Sequence, residues 1–370
     1  MKIVCTQQNL QRGISAVSHI AGQGGTLPVL QNVLIKAEGG VITFSATDLE
    51  IGIVATVRGK TEKEGSFTVS AKILSNVVGL LPGENVELEV KSGNLHIKSG
   101  GSKTKINGMD ASDFPILPVV AEGNGVHVDT AIFKKALSQI AVAVSQDSSR
   151  PELNGMLFKF EDNSLILAAT DSYRLAERKT PVLRKEGDGF TGQVIVPIKA
   201  IRELLRTAEE ISEAHILIAV EDGQLLFLST DVRIVTRLIE AKYPDYEHII
   251  PKTFQSSVMI QRGELLKAVK AAGLFTQVGV NGINLRLLPE EGKLEVSSQN
   301  SQTGENTSTL DISGNGAEGS IVFDYRYLSD GLNTIDQEEV SLAMNDATSP
   351  GILLPQGRDD YLYIIMPIRS

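Results

Sequence analysis

Apolar residues recur along this chain in a triplet, one residue followed by others five and nine positions later. The copies are Cys5/Leu10/Ile14, Val69/Leu74/Val78, Val128/Phe133/Leu137, Val196/Ile201/Leu205, Ile260/Leu265/Val269 and Phe323/Leu328/Leu332. The last two members stand four apart and so share one helix face, while the first closes a strand. Ser70, Asp129, Pro197 and Asp324 each follow a first member and suit a helix start. Copies succeed one another at roughly 60–70 residues, the interval of a repeated supersecondary unit. Hairpin patterns lie between the helices. Phe160 to Asp171 parallels Val220 to Asp231 residue for residue, with turns expected at Asn163-Ser164 and Gly223-Gln224. Related hairpins surround Gly39-Gly40, Ser92-Gly93-Asn94 and Glu291-Gly292-Lys293.

Six strand–helix units with hairpins between them predict an α+β protein of three similar domains. Each domain holds two units, with two helices packed on antiparallel sheets. Proline-bearing joints near Pro118 to Gly125 and near Pro251 to Gln255 set the boundaries at 1–122, 126–250 and 252–370. Both joints follow similar text, Asp113-Phe114-Pro115-Ile116-Leu117-Pro118 and Tyr243-Pro244-Asp245-Tyr246-Glu247-His248-Ile249-Ile250-Pro251. The 370 residues and their 34 glycines agree with several domains of short strands and tight turns.

Charge changes the picture. The chain has a net charge of -10, which argues against a phosphate-binding surface until the charges are located. The twelve-residue windows starting at each triplet hold eleven basic residues: Arg12, Lys72, Lys134, Lys135, Lys199, Arg202, Arg206, Arg262, Lys267, Lys270 and Arg326. They hold five acidic ones: Asp129, Glu203, Glu264, Asp324 and Asp330. The helices are therefore basic on an acidic protein. Basic side chains can simply solvate an amphipathic helix, but the contrast in sign favours a common polyanionic partner held through phosphates, without sequence readout.

Catalytic motifs are not apparent. Gly100-Gly101-Ser102-Lys103-Thr104 lacks P-loop spacing and reads as a turn entering a strand. The five histidines, His19, His96, His127, His215 and His248, are scattered, and Cys5 is the single cysteine. Neither a zinc site nor a disulfide framework is expected. Asp48, Asp171 and Asp231 each follow a threonine at repeated positions, which points to turns rather than acid–base chemistry. The N-terminus turns polar at once and no apolar run approaches the ~20 residues of a membrane span, so a cytoplasmic protein is expected. An enzyme acting on a polyanion would need a unique constellation in one repeat. A protein-only scaffold would leave the basic helices without a purpose.

The chain closely resembles the β sliding clamps of bacterial DNA polymerase III. The resemblance is carried by Thr26-Leu27-Pro28-Val29-Leu30, Thr47-Asp48-Leu49-Glu50, Leu153-Asn154-Gly155-Met156-Leu157-Phe158, Thr170-Asp171-Ser172-Tyr173-Arg174-Leu175, Tyr243-Pro244-Asp245-Tyr246 and Met366-Pro367-Ile368-Arg369. It implies a DNA clamp fold in a head-to-tail dimeric ring around duplex DNA. It also implies a non-catalytic, cofactor-free processivity role, with polymerase subunits, a clamp-loading ATPase and repair and mismatch-repair proteins as partners. Together with the charge pattern it nominates Arg12, Lys72, Lys134, Lys135, Lys199, Arg202, Arg206, Lys267, Lys270 and Arg326 as DNA contacts.

The resemblance further implies a pocket for short partner peptides. Its residues here are Leu153, Thr170, Ser172, Tyr173, Arg174, Leu175, Pro244, His248, Ile249, Thr348, Pro350, Ile364, Met366, Pro367, Ile368 and Arg369. Ile106, Leu274 and Phe275 match the apolar contact between subunits. Tyr173 stands where a histidine is common, His248 where some members have arginine, and Gly24 where some carry a DNA-contacting arginine. The first two bear on peptide preference, the third on one DNA contact.

Overall fold

Each triplet opens a helix from the end of a strand. The computed structural model describes residues 1–22, 27–207, 213–277 and 279–368. The six helices among them are α1 (Gln7–Ser18), α2 (Ala71–Gly79), α3 (Thr130–Ala141), α4 (Ile198–Thr207), α5 (Arg262–Gly273) and α6 (Tyr325–Thr334). The first triplet member is the next-to-last residue of the preceding strand in every copy: Lys2–Thr6, Gly65–Ser70, Gly125–Asp129, Gly192–Pro197, Ser256–Gln261 and Gly319–Asp324. The strand's last residue can then cap the helix. Asp129 accepts from the Ile132 N–H and Asp324 from the Arg326 N–H, both at 2.9 Å, and Thr6 and Ser70 act alike in α1 and α2.

All triplet members are buried except Leu205. In α4 the core position belongs to Leu204 instead, and Leu205 is half-buried. One residue is a 100° step around a helix. Glu203 and Arg206, three apart on the same helix, form an ion pair at 2.6 Å, and Arg206 also reaches α1.

The turn positions need a similar correction. Glu221 pairs with Gln224, so the two-residue turn is Asp222-Gly223, one residue earlier than expected. Both residues have positive φ (47° and 72°), which glycine takes without cost. In the parallel copy Glu161 N–H donates to the Ser164 carbonyl, leaving Asp162-Asn163 as the turn. The turns at Gly39-Gly40 and Ser92-Gly93 stand where the sequence puts them, with positive φ throughout.

Packing divides the chain into two compact units, and each contains a strand pairing between segments far apart in sequence. The first comprises Met1–Lys134, Pro181–Gly192 and Val196–Ile239, and the second Lys135–Thr180, Gln193–Ile195 and Glu240–Ser370. Among the described residues, the first unit carries a continuous sheet of fourteen strands, in which Ile51–Val57 pairs antiparallel with Val232–Arg237. The second carries a sheet of twelve, in which Arg174–Pro181 pairs antiparallel with Tyr361–Ile365. These pairings run between strands far apart in sequence. They explain why compactness cuts through the middle of the chain rather than at its proline joints.

Candidate functional site

The Thr-Asp text of the repeats builds a tight turn twice. Thr47 Oγ1 donates to the Ile51 carbonyl and accepts from Leu49 N–H, while Asp48 Oδ1 accepts from Glu50 and Ile51 N–H. Thr170 and Asp171 make the same four bonds with Arg174, Ser172, Tyr173 and Arg174. The residue after the aspartate takes positive φ, 78° at Leu49 and 79° at Ser172. These carboxylates are therefore turn acceptors. At the third copy Ser229, not Asp231, bonds the Val232 N–H.

In the second unit this turn holds Tyr173 and Arg174 in a groove of about 510 Å³. The groove is lined by Val144, Ser145, Gln146, Asp147, Arg150, Leu153, Asp171, Ser172, Tyr173, Arg174 and Tyr327. Arg174 Nε pairs with Asp171 at 2.9 Å, its Nη1 reaches Asp330 at 2.5 Å, and its guanidinium lies 4.5 Å from the centre of the Tyr327 ring. Tyr173 stacks on Tyr327 with ring centres 6.3 Å apart and planes 17° apart, yet remains 61% exposed. Arg150 donates to Ser172 Oγ at 2.9 Å and fixes the near wall. An aromatic pair backed by a fixed cation suits an extended ligand with apolar or aromatic side chains and a polar main chain.

Four of the expected pocket residues, Leu153, Ser172, Tyr173 and Arg174, line this one groove. Leu175 and Ile364 face each other across paired strands and are fully buried, so they belong to the core beneath it. Thr170 is buried as the turn's hydroxyl. The C-terminal strap is tied down by Met366 N–H to the Tyr173 carbonyl and Ile368 N–H to the Val322 carbonyl, each at 2.8 Å, leaving Met366, Pro367 and Ile368 half-buried. Pro244 is half-buried between Tyr243, whose hydroxyl accepts from Thr170 N–H, and Tyr246, whose hydroxyl donates to Glu177 at 2.6 Å. Burial raises the pKa of both phenols and of Glu177. His248 and Ile249 are exposed, with His248 2.9 Å from Asp245. Thr348 and its neighbour Ser349 donate to Asp346, and these bonds pull its carboxyl down to about 2. Pro350 is half-buried beside them. Arg369 and Gly24 lie outside the described residues.

Tyr327, Arg150, Asp330 and the 144–147 segment were missed from the sequence. Asp330 and Tyr327 lie on α6 far from the turn they meet, and only the pairing of Arg174–Pro181 with Tyr361–Ile365 brings them there.

The basic residues differ in exposure. Arg12, Lys72, Arg202, Lys267 and Lys270 are exposed on their helices and Lys134 is half-buried. The remaining four make ion pairs within the protein, and of these Arg326 is also exposed. Lys135 pairs with Asp336, Lys199 with Asp48 and Arg326 with Asp324. Arg206 donates to main-chain carbonyls of α1 as well as to Glu203. Of the residues expected at an apolar subunit contact, Leu274 is 76% exposed and Phe275 half-buried, while Ile106 is buried within the chain itself. A subunit contact around Ile106 would thus fall on its neighbours rather than on its own side chain.

Among the described residues no cluster of histidine, cysteine or carboxylate side chains could hold a metal, and no helix is long and apolar enough to cross a membrane. Comparison with known proteins matches three family models in order. They are the N-terminal, central and C-terminal domains of the DNA polymerase III beta subunit, over residues 1–118, 127–245 and 247–369. The chain is 31% identical to the beta sliding clamp of Synechocystis sp. over 390 aligned residues, covering 100% of this chain and 99% of that one. It is 30% identical to that of Halalkalibacterium halodurans, with 100% of both covered. Its fold superposes on the DNA polymerase III beta subunit of Thermotoga maritima with a TM-score of 0.92 at 27% identity, covering 100% of this chain and 99% of the other. For that of Pseudomonas aeruginosa the TM-score is 0.93 at 27% identity, with both chains fully covered. With three domain models matched in sequence and relatives aligned along its whole length, the chain belongs to the DNA polymerase III beta subunit family, the sliding clamps that serve replication as non-catalytic processivity factors.

Proposed function

We propose that two copies of this chain join head to tail into a ring around duplex DNA. The basic helices would meet phosphates, and the Tyr173–Tyr327 groove would hold partner peptides. The observation that carries the DNA contact is the presence of exposed basic side chains on helices of all three matched domains: Arg12 and Lys72, Arg202, and Lys267 and Lys270. Such charges bind phosphates without reading bases, which suits a protein that must slide. The acidic remainder of the chain would disfavour phosphate elsewhere.

In this reading the domains are 1–122, 126–250 and 252–370. Leu274 and Phe275 form the apolar part of the subunit contact, with the strand Ser102–Met109 opposite. Polymerase subunits, repair and mismatch-repair proteins and a clamp-loading ATPase of the cytoplasm reach the ring through short peptides. The groove, the strap at Met366 to Ile368 and the exposed Ile249 supply the apolar and main-chain contacts that such peptides need. The test is retention on circular DNA after loading by a cognate clamp loader and ATP, before and after one cut in the circle. Retention on circles with loss from cut DNA supports encirclement. Equal retention on both overturns it.

A further inference from the structure

We propose that a cavity of about 210 Å³ beside α1 is a receptor for a guanidinium group. Its wall includes Gly13, Ala16, Ala55, Asp231 and Val232, and also the two arginines Arg12 and Arg58. The argument comes from comparing the two junctions of the chain, where Ile51–Val57 pairs with Val232–Arg237 and Arg174–Pro181 with Tyr361–Ile365, and which are built from corresponding residues.

The correspondence is fixed by hydrogen bonds as well as by the triplets. The turn at Thr47 to Ile51 matches that at Thr170 to Arg174 bond for bond, so four positions on, Ala55 matches Arg178. Ala55 pairs with Val232 just as Arg178 pairs with Tyr361. Thr56 N–H donates to the Asp231 carbonyl and Lys179 N–H to the Asp360 carbonyl, at 2.7 and 2.8 Å. On the helix, two residues past the last triplet member, Ala16 matches Gln139.

In the second unit this place is filled. The Arg178 side chain is only 3% exposed, donates to Gln139 Oε1 and lies 3.3 Å from the Asp360 carboxylate. In the first unit the arginine and the glutamine are both alanines, and the carboxylate remains as Asp231. Truncating two long side chains while keeping their acidic partner leaves a cavity at the place where the other junction holds a guanidinium. A planar fork can meet a carboxylate bidentately, which an ammonium cannot. Arg12 and Arg58 line the same cavity and carry like charge, which opposes a bound cation, but both are exposed, and water of high dielectric weakens that repulsion. Lys135 stands at the place of Arg12 in the second unit and coexists there with Arg178.

The ligand could be a small guanidinium compound or an arginine presented by another chain, and the experiment separates the two. Full-length protein is titrated with agmatine, with cadaverine as the ammonium control, and with the peptide Gly-Arg-Gly, reading the melting temperature. Agmatine is expected to give a saturable rise of about 2–4 °C at ten times its dissociation constant, and cadaverine several-fold less. A response to the peptide assigns the site to a protein-borne arginine, and a response to agmatine alone assigns it to a small molecule. Asp231→Asn should abolish the response. Ala55→Arg should abolish it and raise the melting temperature of the free protein, because the arginine then fills the cavity from within. No saturable response to either guanidinium probe, an equal response to cadaverine, or a response surviving in Asp231→Asn overturns the proposal.

Discussion

Arg206 Nη1 donates to the main-chain carbonyl of Ser15 at 2.8 Å, and Nη2 to that of Ala16 at 3.2 Å. A residue that the sequence offers as a phosphate contact thus caps the C-terminal end of α1, where carbonyls have no intrahelical partner and a cation is favoured. Glu203 at 2.6 Å completes the arrangement. The two arginines of α4 therefore have different tasks.

Arg206→Ala should lower stability by roughly 2 kcal/mol, the scale of lost charge-assisted hydrogen bonds, and leave the salt dependence of DNA association almost intact. Arg202→Ala should do the reverse, with little change in stability and a salt slope reduced by about 1. Denaturant unfolding together with DNA binding between low and moderate salt checks both. A loss of stability in Arg202→Ala as large as in Arg206→Ala would contradict the assignment.

Tyr173 is exposed and stacked, whereas Leu175 two residues on is fully buried. Tyr173→Ala should weaken binding of a glutamine- and leucine-bearing clamp peptide by about tenfold with little change in melting temperature. This is the scale of one aromatic contact, about 1–1.5 kcal/mol. Leu175→Ala should instead cost about 2–5 kcal/mol of stability by leaving a cavity in the sheet. Fluorescence anisotropy of a labelled peptide and thermal melts separate the two effects.

Leu49 holds a left-handed φ of 78° with its side chain about half exposed. Leu49→Gly should be neutral or stabilising by up to about 1 kcal/mol, because glycine enters that region freely and little packing is lost. A clear drop in unfolding midpoint would mean that the side chain has a contact the turn depends on.

Cys5 lies in the first strand, and burial pushes its thiol from an ordinary 9.0 up to about 11. The folded state then binds the proton more tightly than the unfolded one. Its contribution to stability is full below about pH 9 and is lost as pH rises through about 11. Native protein should react with iodoacetamide at pH 8 at least tenfold more slowly than the unfolded chain. The fall in stability between pH 9 and 11 should be shallower in Cys5→Ala. Equal alkylation rates for folded and unfolded protein would refute the burial argument.

Much of the architecture was legible because the signals are local. The triplets marked every helix and its preceding strand, since spacing on one helix face and a capping residue need no distant partner. The same locality explains the errors. Leu205 was read from spacing, but the packing of α4, whose Arg206 is bonded to α1, puts Leu204 in the core instead. The turns at Asp222-Gly223 and Asp162-Asn163 lie one residue early because pairing across the strands, not the turn residues alone, sets the register.

The candidate site divides along the same line. The Thr170–Arg174 turn was visible in sequence because its bonds span four residues. Its meeting with Tyr327, Asp330 and the C-terminal strap was not, because these reach it only through the pairing of Arg174–Pro181 with Tyr361–Ile365. By itself the sequence determined six repeated strand–helix units, their basic helices, and the absence of a catalytic motif. The tertiary structure alone decided which basic residues, like Arg206 and Lys199, are tied to partners from distant parts of the chain. It also decided that Arg178 fills one junction while Ala55 leaves the other open. The physical reason is that hydrophobic spacing and capping act within a few residues, whereas these ion pairs and cavities depend on strands brought together from far apart in the sequence.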